Sequence, residues 1–216
     1  MHKFITLISG RGSNLAAMCK AGLAPYISCV ISNNPNAKGI EIAKKNNIPV
    51  CIVNHRDFIS RENFEQAISL VIDNFPSQLI VLAGFMRILS PWFIEKYPQK
   101  IINIHPSILP AFTGANAQQQ AFDAKVKTTG ATVHFVTEKL DHGPIIASGA
   151  MAINHDNDDV DTLCNKILKL EHILYPFVIK KILNDQVKVL ANGAVEVIKD
   201  IADDKILGKF KSNIHY

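Results

Sequence analysis

Ile101-Ile102-Asn103-Ile104-His105-Pro106-Ser107 is an apolar run interrupted by two polar side chains and closed by a proline. Side chains alternate along a strand, so Asn103 and His105 fall on the same side. Pro106 has no N–H to give to a ladder, and the strand stops there. An amide and an imidazole therefore stand at the carboxyl end of a strand, where open α/β sheets bind their ligands.

The segments on the amino-terminal side agree with that placement. Phe4 to Ile8, Ile27 to Ser32, Val50 to Val53 and Leu79 to Ala83 read as strands. They are apolar throughout rather than alternating, which suits a parallel sheet covered on both faces. Asn14 to Lys20, Lys38 to Asn46 and Arg61 to Asn74 read as the intervening helices; the last carries Phe64, Ala67, Ile68, Val71 and Ile72 at helical spacing. Ser90-Pro91 predicts a helix start, with a serine cap and proline in the first position. Beyond Pro106 the pattern changes. A short helix is expected over Ala117 to Asp123, and strands of more alternating pattern over Ala131 to Thr137 and Ile145 to Ala152. Asp158 to Leu183 predicts a long helix with an acidic start, kinked or interrupted at Pro176. Val187 to Leu190 is a further expected strand in a weakly patterned tail. The expected fold is a doubly wound, mostly parallel, Rossmann-like α/β sheet, with antiparallel strands added in the C-terminal third. Residues 1–216 are expected to form one domain.

The net charge of +4 is mild and scattered, so nucleic acid is not an implied partner. No apolar run reaches membrane-spanning length and no secretory leader is read at the start, which predicts a cytoplasmic chain. Cys19, Cys29, Cys51 and Cys164 show no CxxC spacing and are expected to be reduced. The histidines show no HxxxH or HxH spacing, and no metal is expected.

Two loops carry further chemistry. Gly10-Arg11-Gly12-Ser13-Asn14-Leu15 joins the first strand to the first helix. Its glycines let backbone amides approach an anion at a helix amino terminus. Leu15 stands where a dinucleotide fingerprint needs its third glycine, so a monophosphate fits better than a dinucleotide. The alternative is a tight turn capped by Ser13 or Asn14 and holding no ligand. Asp141-His142-Gly143-Pro144 makes a good turn on its own. Beside Asn103 and His105 it also supplies the carboxylate of an acyl-transfer set. Met86, Ile88 and Leu89, following the strand to Ala83, offer an apolar wall to a flat ligand.

Taken together and in this order, these segments resemble the phosphoribosylglycinamide formyltransferases of the folate-dependent formyltransferase superfamily. The resemblance rests on Ile8 to Leu15, Val81 to Leu89, Asn103 to Pro110, Asp141 to Ile146, and Glu171-His172 with Tyr175-Pro176. It implies transfer of the formyl group of 10-formyltetrahydrofolate to the primary amine of glycinamide ribonucleotide, in purine biosynthesis, by direct amine attack through a tetrahedral intermediate. Asn103 would donate to the developing oxyanion, His105 would assist proton movement, and Asp141 would orient His105 and help remove the amine proton through water. Gly12, Ser13 and Asn14 would hold the substrate phosphate, and Glu171 its ribose or amine side. Met86, Arg87, Ile88, Leu89, Leu140, His142 and Gly143 would frame the pterin of the reduced folate, and Arg61 would meet its glutamate tail. A monomer or homodimer is expected.

Two positions depart from the family pattern. Gln118 stands where the family often has a histidine, and Leu168 where a phosphate-contacting Lys or Gln is common. Lys169 points about 100° away around a helix and need not replace it. Methionyl-tRNA formyltransferases and formyltetrahydrofolate deformylases share part of the pattern. They differ by a nucleic-acid-binding domain and by an amino-terminal regulatory domain, respectively. A degenerate binding protein would not need Asn103, His105 and Asp141 together.

Overall fold

The structure is a computed structural model that describes residues 2–198 and the backbone of 214–215. Its contacts divide into two compact units: the residues up to Asn103 with Val136–Glu138, and Ile104–Phe135 with the described residues from Lys139 on.

The first unit is built from β1 (Phe4–Ile8), α1 (Ser13–Lys20), β2 (Ile27–Ser32), α2 (Gly39–Lys45), β3 (Val50–Ile52), α3 (Arg61–Asp73), β4 (Leu79–Leu82), α4 (Pro91–Lys96) and the first residues of β5 (Ile101–His105). Its strands are all parallel, in the order β5-β4-β1-β2-β3. The chain walks outward from β1 to β3, then returns past β1 to β4. With right-handed crossovers that reversal puts α1 and α2 on one face and α3 and α4 on the other. It also places the switch point between the carboxyl ends of β1 and β4. The apolar strands follow from this double cover: β1, β2 and β4 are buried at every position. β3 corrects the expectation of uniform cover, because it lies at the sheet edge and Ile52 is half exposed.

Ile5, Leu7, Ile31, Ile80 and Leu82 pack against Phe64, Ile68 and Ile72 of α3 and Phe93 of α4. The apolar spacing of α3 supplies this face, and Ser60 Oγ caps its start by accepting from Asn63 N at 3.1 Å. Ser90 begins α4 as read from the sequence: its Oγ accepts from Phe93 N at 3.3 Å. Buried Glu65 of α3 holds the same serine, accepting from Ser90 N at 2.8 Å and from its hydroxyl.

In the second unit β6 (Thr128–Phe135) and β7 (Ile145–Ala152) form an antiparallel hairpin, and β10 (Ile214–His215) pairs antiparallel with β7. β6 begins three residues before the expected strand and ends two before its expected close. Gly130 permits the early start: a Cβ there would lie 1.8 Å from the Gly149 carbonyl oxygen of β7. α5 (Ala117–Asp123) is short. α6 (Val160–Leu183) runs unbroken for 24 residues with Pro176 inside it, so neither interruption nor a helix end occurs there. Asp159 caps it through Thr162 N at 2.7 Å. The tail holds β8 (Val187–Val189) and, unanticipated, β9 (Val195–Val197), a small antiparallel hairpin turned at Gly193.

Among the described residues, all four cysteines are free thiols. None of their helices is long and apolar enough to cross a membrane.

Candidate active site

In the first unit, the loop after β1 turns at Gly12, whose φ of 73° is the left-handed conformation glycine tolerates. A Cβ on Gly12 would lie 2.5 Å from Gly39 Cα, and Gly39 N donates to Gly10 O at 3.1 Å. Two glycines thus let the loop press against the start of α2. α1 has Gly12 as its N-cap and no side-chain cap, so Ser13 is the first helical residue rather than a cap. The amides of the first turn have no partner within the helix, which is the arrangement an anion needs. Ser13 is half-buried, Asn14 is buried and Arg11 is exposed.

The exits of β1 and β4 are tied together at the switch point. Ser9 N donates to Gly84 O at 3.2 Å, and Met86 N donates to Ser9 Oγ at 2.9 Å. Met86 (82 % exposed), Ile88 (62 %) and Arg87 project outward from this loop. Leu89 does not: its side chain is in the core with Phe85 and Phe93, so only its backbone is open to a ligand. Arg61, first residue of α3, is exposed, with Nε 3.9 Å from Glu62 Oε1. Asn103 is half-buried on β5, and among the described residues no hydrogen bond commits its amide.

In the second unit His105 and Asp141 meet. Both are buried, 5 % and 7 % exposed, with His105 Nδ1 3.4 Å from Asp141 Oδ2. His105 Nε2 donates to Phe112 O at 2.8 Å, which leaves Nδ1 as the atom facing the carboxylate. Asp141 adopts φ 54° and accepts from Gly114 N at 2.8 Å, so the aspartate does more than close its own turn. Thr132 of β6 steadies the chain after Pro106 by accepting from Leu109 N at 3.1 Å and donating to Ser107 O at 2.8 Å.

A second imidazole faces the same carboxylate. His134 Nε2 lies 3.7 Å from Asp141 Oδ1, while its Nδ1 donates to Phe135 O at 2.9 Å. Burial pulls this imidazole below its ordinary value, against the Phe135 carbonyl and Asp141, which favour the charged form. A neutral His134 therefore presents a lone pair toward Asp141. Such a pair is stable only with a proton or a water between them, and this is the site where a proton can be parked and passed.

Leu140 and His142 flank Asp141 and are exposed, Gly143 is buried, and His142 Nδ1 donates to Leu140 O at 2.7 Å. Glu171 is buried on α6. Leu168 is half-buried and Lys169 exposed, and Gln118 is half-buried in the first turn of α5.

Sequence reading missed His134, Phe112 and Gly114. His134 carried a usable signal, because it lies on a strand and only seven residues before Asp141, one hairpin turn away. Phe112 and Gly114 act through backbone atoms and left none.

The formyl transferase family profile matches residues 2–179. The chain belongs to the formyl transferase family. It is 41 % identical over 187 residues to the phosphoribosylglycinamide formyltransferase of Bacillus subtilis, covering 85 % of this chain and 95 % of that one. It is 39 % identical over 198 residues to the human trifunctional purine biosynthetic protein adenosine-3, covering 90 % of this chain. The chain spans about a fifth of the length of that trifunctional relative, 20 %. The crystal structure of phosphoribosylglycinamide formyltransferase from Anaplasma phagocytophilum superposes with a TM-score of 0.86 at 41 % identity, over 92 % of this chain and 95 % of that one. Among the described residues, no group of three or more His, Cys, Asp or Glu is placed to hold a metal ion.

Proposed function

We propose that this formyl transferase moves the formyl group of 10-formyltetrahydrofolate to the primary amine of glycinamide ribonucleotide. The observation that carries the reading is the buried His105–Asp141 pair, 3.4 Å apart, on the strand that also bears the uncommitted amide of Asn103. The names of the relatives support the choice of substrates.

The amine attacks the formyl carbon, a C–N bond forms, and the carbonyl oxygen becomes an oxyanion. Asn103 donates to that oxygen. His105 donates from Nε2, whose present acceptor, the Phe112 carbonyl, is of the kind the formyl oxygen offers. Asp141 orients His105 and, through water, accepts the proton the attacking amine loses. Collapse of the tetrahedral intermediate breaks the bond to N10 of the folate, and the proton is delivered there. No covalent enzyme intermediate is needed, because alignment and charge stabilisation supply the acceleration.

Gly12, Ser13 and Asn14 bind the phosphate of the amine substrate, and Glu171 its ribose or amine side. Met86, Arg87 and Ile88, with the backbone of Leu89, and the Leu140, His142 and Gly143 loop frame the pterin. Arg61 meets the glutamate tail, for which it must leave Glu62. The chain acts as one formyltransferase domain in the cytoplasm, as a monomer or homodimer.

The test is to follow tetrahydrofolate formation from 10-formyltetrahydrofolate with and without glycinamide ribonucleotide. Turnover that requires the amine is the expected result. Folate consumption without the amine would make the chain a deformylase, and silence in both would leave a binding protein.

A further inference from the structure

We propose that the first unit carries a second anion subsite, which takes the γ-linked glutamates beyond the first on a polyglutamylated reduced folate. It rests on the folate reading above and adds residues that reading does not use.

The carboxyl ends of β1, β2, β3 and β4 surround a cavity of about 350 Å³, whose wall includes Asn36, His55, Arg56, Met86 and Arg87. Its size lies at the lower end of ligand pockets, which run from about 300 to 1,000 Å³. The wall holds two guanidiniums and an imidazole and no carboxylate. Among the described residues, neither Arg56 nor Arg87 has an acidic partner. Asp57, the acid next in sequence, is turned to Asn54, whose Nδ2 donates to it at 2.8 Å.

The asparagines of the wall are spent on holding the loops. Asn34 Nδ2 donates to Ser9 O at 3.2 Å, and Asn34 Oδ1 accepts from Asn36 N at 3.0 Å. Asn54 Oδ1 accepts from Arg56 N at 3.3 Å. What remains to meet a ligand is the pair of guanidiniums and one ring nitrogen. His55 Nδ1 donates to Asn33 O at 2.8 Å, so Nε2 of the neutral ring is an acceptor. Guanidiniums ask for carboxylates, and the imidazole nitrogen asks for an N–H. A γ-glutamyl chain offers both in alternation. Inorganic phosphate offers the anion and lacks the amide. The cavity also begins at Met86 and Arg87, on the loop assigned to the folate, so a tail leaving that loop enters it without crossing solvent.

The experiment compares mono- and pentaglutamyl tetrahydrofolate on the full chain, as Kd by equilibrium binding without amine, and as KM of the two 10-formyl forms in the transfer assay. The wild type should bind the pentaglutamate roughly three- to tenfold more tightly, the range of a few exposed ion pairs. Arg56→Ala should erase that preference and leave the monoglutamate values unchanged, Arg56→Lys should keep part of it, and added salt should shrink it. Equal Kd for the two forms in the wild type, or a preference that survives Arg56→Ala, overturns the subsite. So does inorganic phosphate that competes equally against both forms. A pentaglutamate preference without any formyl transfer would refute the proposed reaction and keep the subsite. Transfer with no preference would do the reverse, and failure to bind either folate overturns both.

Discussion

Asn103 costs the fold something to keep. A side-chain amide that ends an apolar strand and finds no hydrogen bond gives up about 1–3 kcal/mol when buried. Its half-exposed position lowers that penalty, and a formyl oxygen would remove it. Asn103→Ala should therefore leave the melting temperature unchanged or raised, and lower kcat by roughly 10²–10³, the loss typical of one oxyanion donor. Near-wild-type turnover of that variant would remove Asn103 from the mechanism. Gly12 is constrained in the opposite way. An alanine there combines φ 73° with a Cβ 2.5 Å from the Gly39 backbone, so the loop must shift. Steady-state kinetics of Gly12→Ala should show KM for glycinamide ribonucleotide rising roughly tenfold or more, as expected when a positioning loop is displaced, with the folate KM little changed. An unchanged KM for the amine would mean the loop does not bind the phosphate. Asn103, His105, Asp141 and Gly12 were legible because each is chemically conspicuous where it stands. An amide interrupts an apolar run, an aspartate precedes a glycine-proline turn, and glycines close a strand. His134 was not legible, since one histidine inside a strand carries no mark of the carboxylate that the hairpin brings to it.

Elements were legible where period and punctuation agreed. α3 has both helical spacing and a serine cap, and α4 has serine and proline in the expected positions. α6 was legible in extent, although Pro176 argued for a break. Proline removes one backbone donor from a helix, and the buried packing of Leu174, Tyr175, Phe177 and Val178 around it outweighs that loss. β9 was not legible, because a three-residue strand of alternating polarity has too little pattern to stand out from a loop. The link from α3 to α4 has a measurable consequence. Ser90 caps α4 and also supplies both hydrogen bonds found on the buried Glu65 carboxylate, one through its amide and one through its hydroxyl. Ser90→Ala removes the cap, worth about 1 kcal/mol, and leaves one carboxylate oxygen without its donor, worth about 1–3 kcal/mol. Urea unfolding should show a loss of about 2–4 kcal/mol with an unchanged m-value. A loss below 0.5 kcal/mol would mean that solvent replaces the hydroxyl and that the link does not fix the folate loop.

At the scale of the whole molecule, the buried histidines set how stability depends on pH. Burial lowers the imidazole of His134 below its ordinary value, and burial does the same to His172 on α6. Unfolding exposes both rings and restores that value, so below about pH 6.5 the unfolded chain binds protons that the folded chain refuses. Stability is then complete above that pH and declines as the pH falls from 6.5 toward the lowered folded values. A single histidine fully within its window sets a slope of at most about 1.4 kcal/mol per pH unit. The window lies well above the range in which carboxylates titrate, so the two losses separate on a pH axis. Thermal melts of the wild type at intervals from pH 7.5 to 5.0 should show a plateau near neutrality followed by a steady fall. His134→Gln keeps a polar group beside Asp141 and removes the titration, so its melting temperature should start lower and decline less steeply over the same interval. The slope is the decisive quantity, because a merely structural glutamine defect would lower the whole curve and leave its shape alone. A wild-type curve flat from pH 7.5 to 5.0 would mean that both rings accept protons in the folded state, and His134 would then hold its proton between itself and Asp141 rather than face it with a lone pair.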